Sequence, residues 1–143
     1  MKTPLWILLL IVTSALGAPA ETPAFVVIVN SVHPVTLTRE QIADIFMKRL
    51  TRWSDGQPIA VVDALPESPV RAEFSRVILR RGVDAMEAYW QQQIFSGRDV
   101  PPVQKETDEK IVAFVSRKSG AIGYVAAGTP LGGLRAVTLR SEP

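Results

Sequence analysis

The chain has 143 residues, no cysteine and a single histidine, His33. The missing thiols exclude a disulfide framework, a thiolate metal site and a lipid-modified N-terminal cysteine. His33 stands beside Pro34 with no second metal-type ligand at a recognised spacing, so neither a metal nor a cofactor is expected. Charge of one sign is scarce too: 16 basic residues against 14 acidic ones leave a formal +2. No strong field steers such a chain toward nucleic acid or acidic lipid, and no nucleic-acid partner is expected. The sequence has no Gly-x-Ser-x-Gly elbow and no supported Ser/His/Asp set. "GTPLGG" (128–133) lacks the Lys-Ser/Thr of a phosphate-gripping loop, and "GAIG" (120–123) is more simply a tight turn into a strand. The carboxylates are scattered or stand at helix starts. Nothing in this inventory supports catalysis, and the chain is not expected to be an enzyme.

What is present begins with a leader. Lys2 is followed by the apolar run Leu5 to Leu16 and by "APA", Ala18 to Ala20, a small-x-small cleavage signature. The run is shorter than the ~20 residues a membrane span takes. Residues 1–20 are therefore read as a signal peptide, and 21–143 as one exported, periplasmic domain without a lipid anchor. Removing Lys2 lowers the charge to +1. A mature chain of this size buries ~65% of its unfolded surface, enough for one core and not for two.

Apolar, β-branched runs mark the strands. "AFVVIVN" (24–30) and "IAVVDAL" (59–65) are continuously apolar and too short for helices, which predicts adjacent or near-adjacent central parallel strands covered on both faces. "GAIGYV" (120–125) and "LRAVTL" (134–139) are shorter strand candidates. Between them lie punctuated helices. Thr38 and Gln41 form a capping box ahead of Ile42, Ile45 and Phe46. A helix after Ser68 carries Val70, Phe74, Val77 and Ile78 and stops at Gly82. Asp84 with Glu87 caps the next, whose inner face is Met86, Tyr89, Trp90 and Ile94. Thr107 caps a last helix carrying Ile111, Val112 and Val115. "SGRDVPPVQ" (96–104) is the longest loop-like segment. Strands alternating with amphipathic helices predict an α/β fold with a mostly parallel sheet.

Three basic pairs, Lys48-Arg49, Arg80-Arg81 and Arg117-Lys118, fall at or just past helix ends. A cation there gains ~0.3–1 kcal/mol from the helix dipole, which accounts for them without a ligand. Trp53 is expected to cover the end of the first helix, and Trp90 to pack.

One stretch, "ALPESPVRAEF" (64–74), reads as a helix entrance: Ser68 as N-cap and Pro69 at the first helical position. A helix start of this kind offers free N–H groups to an anion. Together with "IVNSVHPVTLTREQIADIFMKRLTRWSDGQPIAVV" (28–62) and "SGAIGYV" (119–125), it resembles the phosphate-binding proteins of ABC transporters. The likeness covers about Phe25 to Ala126, and the chain is long enough for one of that family's two lobes. It implies a single lobe of a type II periplasmic-binding-protein-like fold, with a small oxyanion such as phosphate as the implied ligand. The family places an Arg four residues before a Ser-Gly-Thr helix start, and a Gly soon after the Ile-Phe pair. Here those positions hold Ala64, Pro69, Val70 and Lys48. The donors that remain are Ser68, the N–H groups of Val70 and Arg71, and the Arg71 side chain. Weak oxyanion binding is one implied function. The alternative is a non-catalytic interaction or sensory module, its ligand chemistry lost, that docks onto an exported or membrane protein or onto its own copy. The oligomeric state is not legible in the sequence.

Overall fold

A computed structural model describes residues 17, 24–31 and 35–141. The stretch read as a signal peptide (Gly17 apart) and His33 lie outside the described residues. Among the described residues seven strands are seen: β1 (Phe25–Val29), β2 (Thr36–Thr38), β3 (Ala60–Ala64), β4 (Val103–Lys105), β5 (Ala121–Ala126), β6 (Arg135–Ala136) and β7 (Thr138–Arg140). The helices are α1 (Arg39–Phe46), α2 (Pro69–Phe74), α3 (Val83–Phe95) and α4 (Asp108–Arg117). A π-helical turn, Ser75–Leu79, continues α2.

Five strands form one sheet in the order β4–β3–β5–β1–β6. β3 pairs in parallel with both β4 and β5, whereas β1 runs antiparallel to β5 and to β6. Four strands thus share a direction and β1 opposes them, giving a mixed, mostly parallel sheet. The two apolar runs are central, as expected, but β5 lies between them and they are not parallel to each other. Their apolar character encodes cover on both faces and carries no information on direction. "LRAVTL" is not one strand: it breaks at Val137 into β6 and β7, and β7 leaves the main sheet to pair in parallel with β2. The predicted loop 96–104 gives way to the edge strand β4.

Side-chain alternation along β5 shows how both faces are filled. Gly123 faces α4: a Cβ there would stand 2.7 Å from Val62 Cγ1 and 3.0 Å from Ile111 Cγ2. Its neighbour Tyr124 points to the other face, stacked on Phe74 of α2 at 3.8 Å and beside Phe46 of α1 at 5.6 Å. Phe25 closes this aromatic cluster, 5.4 Å from Phe74. Glycine at 123 lets α4 lie close on the sheet; the rings opposite fill a wider gap.

The caps follow local chemistry unevenly. The Thr38 hydroxyl accepts from Gln41 N–H at 3.1 Å, and Gln41 Oε1 accepts from Thr38 N–H at 2.9 Å, a complete capping box. Thr107 caps α4 through Lys110 N–H at 3.2 Å. Ser68 occupies the N-cap position of α2, but its hydroxyl makes no capping bond. The α2 helix ends earlier than expected, with Arg80 rather than Gly82 in the left-handed conformation at φ 54°. Gly82, not Asp84, is the N-cap of α3. Met86 and Trp90 are buried while Ile94 is 54% exposed, because the last turns of α3 run past the core.

Candidate functional site

The end of β3 carries an ionised-type residue in an otherwise apolar strand, Asp63, only 8% exposed. Burial of such a group demands partners. Its Oδ1 accepts from the Tyr124 hydroxyl and from Ala64 N–H at 2.8 Å. Its Oδ2 faces Arg71 Nε at 3.8 Å. Arg71 Nη1 in turn donates to the Ala64 carbonyl at 3.0 Å, reaching back seven residues from the first turn of α2. Burial pushes the Asp63 carboxyl above its ordinary range; the Arg71 charge and the Tyr124 hydrogen bond oppose the shift without cancelling it. The Tyr124 hydroxyl is raised as well, by burial first and by the neighbouring carboxylate second, so it remains a proton donor to Asp63.

This clamp holds the Leu65–Ser68 turn against the sheet, where Ser68 N–H donates to the Leu65 carbonyl at 3.0 Å. Above it, Ser68 is half-buried, and its hydroxyl makes no capping bond. Among the described residues, the N–H groups of Val70 and Arg71 meet no acceptor, as the first turn of a helix dictates. The structure therefore brings Ser68, Val70 and Arg71 together at one helix start. It withdraws the Arg71 side chain from the donor set, however: Arg71 is 4% exposed and its guanidinium is committed to Asp63 and Ala64. Sequence reasoning missed this network, although a carboxylate inside "IAVVDAL" was a signal that a buried cation or donor would be near.

Open space lies elsewhere. A recess of about 850 Å³, lined by Asn30, Leu37, Trp53, Gln57 and Ser119 among others, sits at the opposite end of β3 and β5 from Ser68. Trp53 forms part of its wall, half-buried, with the indole N–H donating to the Gly120 carbonyl at 3.0 Å. It packs, as expected, though toward the start of β5. Arg117 and Lys118, at the end of α4, line a separate groove of about 320 Å³. Among the described residues no helix is long and apolar enough to cross a membrane.

An α/β lobe whose β3 feeds a helix with Ser68 at its N-cap position has a counterpart in sequence. A family model described as a PBP superfamily domain matches residues 15–140. The chain belongs to that family. Its fold is shared by an ABC-type phosphate transport receptor from Vibrio cholerae, at TM-score 0.63 and 23% identity over 84% of this chain and 48% of that one. A phosphate ABC transporter substrate-binding protein with bound phosphate from Clostridium perfringens aligns at TM-score 0.64 and 25% identity, over 81% and 44%. PstS from Borrelia burgdorferi gives 0.64 and 17%, over 84% and 48%. The PBP-type chain described here thus spans about half the length of these proteins. No curated protein matches it by sequence.

Proposed function

We propose that the chain is an exported, non-catalytic, single-lobe domain of the substrate-binding type, taking a small oxyanion weakly where β3 feeds α2. The observation that carries this is a set of three donors at one point that have no protein partner among the described residues, namely the Ser68 hydroxyl and the N–H groups of Val70 and Arg71. The phosphate bound by the Clostridium perfringens neighbour makes phosphate the first anion to test. Affinity is limited by what is missing. Ala64, Pro69 and Val70 supply no guanidinium, no N–H and no hydroxyl respectively. Three solvent-facing hydrogen bonds of ~1–1.5 kcal/mol each sum to about 3–4 kcal/mol, a Kd on the order of 1–10 mM. Export rests on the basic start, the apolar run and the "APA" site.

Phosphate titration followed by amide NMR tests the site. Saturable shifts centred on Val70 and Arg71 are expected; shifts spread evenly over the surface, or none, would refute it. N-terminal sequencing of the exported protein should begin near Glu21, and finding Met1 or Lys2 would overturn the leader assignment.

A further inference from the structure

The helix-end explanation of the Arg117-Lys118 pair accounts for only half of the groove those residues line. Lys110, Ala113, Phe114 and Arg117 recur at the spacing of one helical stripe along α4, and Lys118 and Lys105 close the two sides. Arg117 and Lys118 stand at the negative end of the helix dipole. Lys110 is the third residue of α4, in the first turn, where the dipole disfavours a cation. Lys105 belongs to a different element, the end of β4. Four cations therefore converge on one recess in a chain whose formal charge is only +2.

Their compensation is slight. Lys110 pairs with Glu106 at 2.9 Å, an exposed contact that holds the Glu106 carboxyl below its ordinary range. Among the described residues, Lys105, Arg117 and Lys118 form no ion pair. Instead two ammonium groups sit over the Phe114 ring, Lys118 Nζ at 5.6 Å and Lys105 Nζ at 5.9 Å from its centre. The ring orders them and leaves an apolar floor between them.

We propose that this groove docks an acidic, extended segment of another polypeptide. Charge complementarity requires an anionic occupant. Concavity and the Phe114 floor favour a chain whose side chains enter the recess over a flat bilayer. The neighbouring strand provides the track: among the described residues β4 is the outermost strand of the sheet and pairs only with β3, which leaves its other edge for main-chain hydrogen bonds. Val103 on that strand is 50% exposed, an apolar contact beside the cations. Carboxylates on alternate residues of an added strand would lie on one face, toward Lys105 and the α4 cations.

The test uses a short fluorescent peptide of alternating Glu and Thr, its Gln counterpart, phosphatidylglycerol vesicles and polyphosphate, each titrated onto the purified protein. The Glu peptide should bind, the Gln peptide should not, and added salt should weaken binding. Lys110→Glu and Lys118→Glu should each weaken it about tenfold with the melting temperature held near the parent value. Lys105→Gln offers a milder variant should either reversal disturb folding. Ser68→Ala should leave peptide binding unchanged, which separates this surface from the oxyanion site. Equal binding of the Gln peptide, indifference to the charge reversals, or binding to vesicles or polyphosphate in place of the peptide would overturn the proposal.

Discussion

Removing one oxygen atom, with Tyr124→Phe, probes the clamp beneath the candidate site. The hydroxyl donates to Asp63, and its loss leaves the ring stacked on Phe74 at 3.8 Å with its apolar contacts intact. Ala64 N–H loses its long contact with the Tyr124 hydroxyl at 3.4 Å but keeps its bond to Asp63 Oδ1 at 2.8 Å, so the strong hydrogen bond to the carboxylate is lost without orphaning that donor. Bonds of that type are worth ~1.5–3 kcal/mol. For a domain of this size the melting temperature should fall by roughly 5–15 °C. The sign of the pH dependence follows from Asp63. Burial raises its folded pKa above the unfolded value, so ionisation costs stability as pH rises toward neutrality and costs nothing below the ordinary aspartate range. Deleting a donor to the ionised form raises that pKa further. The difference between variant and parent should therefore be largest near neutral pH and shrink in acid. Denaturant titration of both proteins at two pH values measures it. A loss under ~0.5 kcal/mol, the size of an indifferent surface change, would refute the role assigned to this hydroxyl, as would a difference that grows in acid.

Other outcomes follow from the same contacts. Ser68→Ala should change stability by less than ~0.5 kcal/mol, whereas Thr38→Ala, which destroys a working capping box, should cost ~1 kcal/mol; equal losses in thermal melts would contradict the two cap geometries. Gly123→Ala should cost ~1–3 kcal/mol, since its Cβ would meet Val62 at 2.7 Å, and a neutral result would mean that α4 can shift outward freely. Trp90→Ala should cost ~3–5 kcal/mol, because Trp90 is 5% exposed and clustered with Met47 and Met86; a protein as stable as the parent would contradict that burial.

What was legible in the sequence divides by range. The Thr38/Gln41 box and the Thr107 cap are contacts within a few residues, so residue type and spacing specify them. The continuous apolar runs announced two-sided burial, and that is where β1 and β3 lie. Their relative direction depends on which strand inserts between them, and β5 arrives from sixty residues further along the chain. Ser68 was identifiable as an N-cap by position, yet nothing in its neighbours says where its hydroxyl turns. Arg71 looked like a ligand donor because Asp63, its partner, is read as part of an apolar strand. The basic groove was half visible: Arg117-Lys118 are adjacent in the chain, while Lys105 and Lys110 reach them only once β4 and α4 are packed.

Thermal unfolding in phosphate against chloride of matched ionic strength, run on the parent and on Ser68→Ala, tests the proposed oxyanion site most directly. A ligand at 100 times its Kd adds ~2.7 kcal/mol of stability. The parent should gain melting temperature with the logarithm of phosphate concentration once phosphate exceeds its Kd, and Ser68→Ala should gain less at every concentration. No phosphate-specific gain in the parent, or an equal gain in the variant, would contradict an oxyanion site at the start of α2.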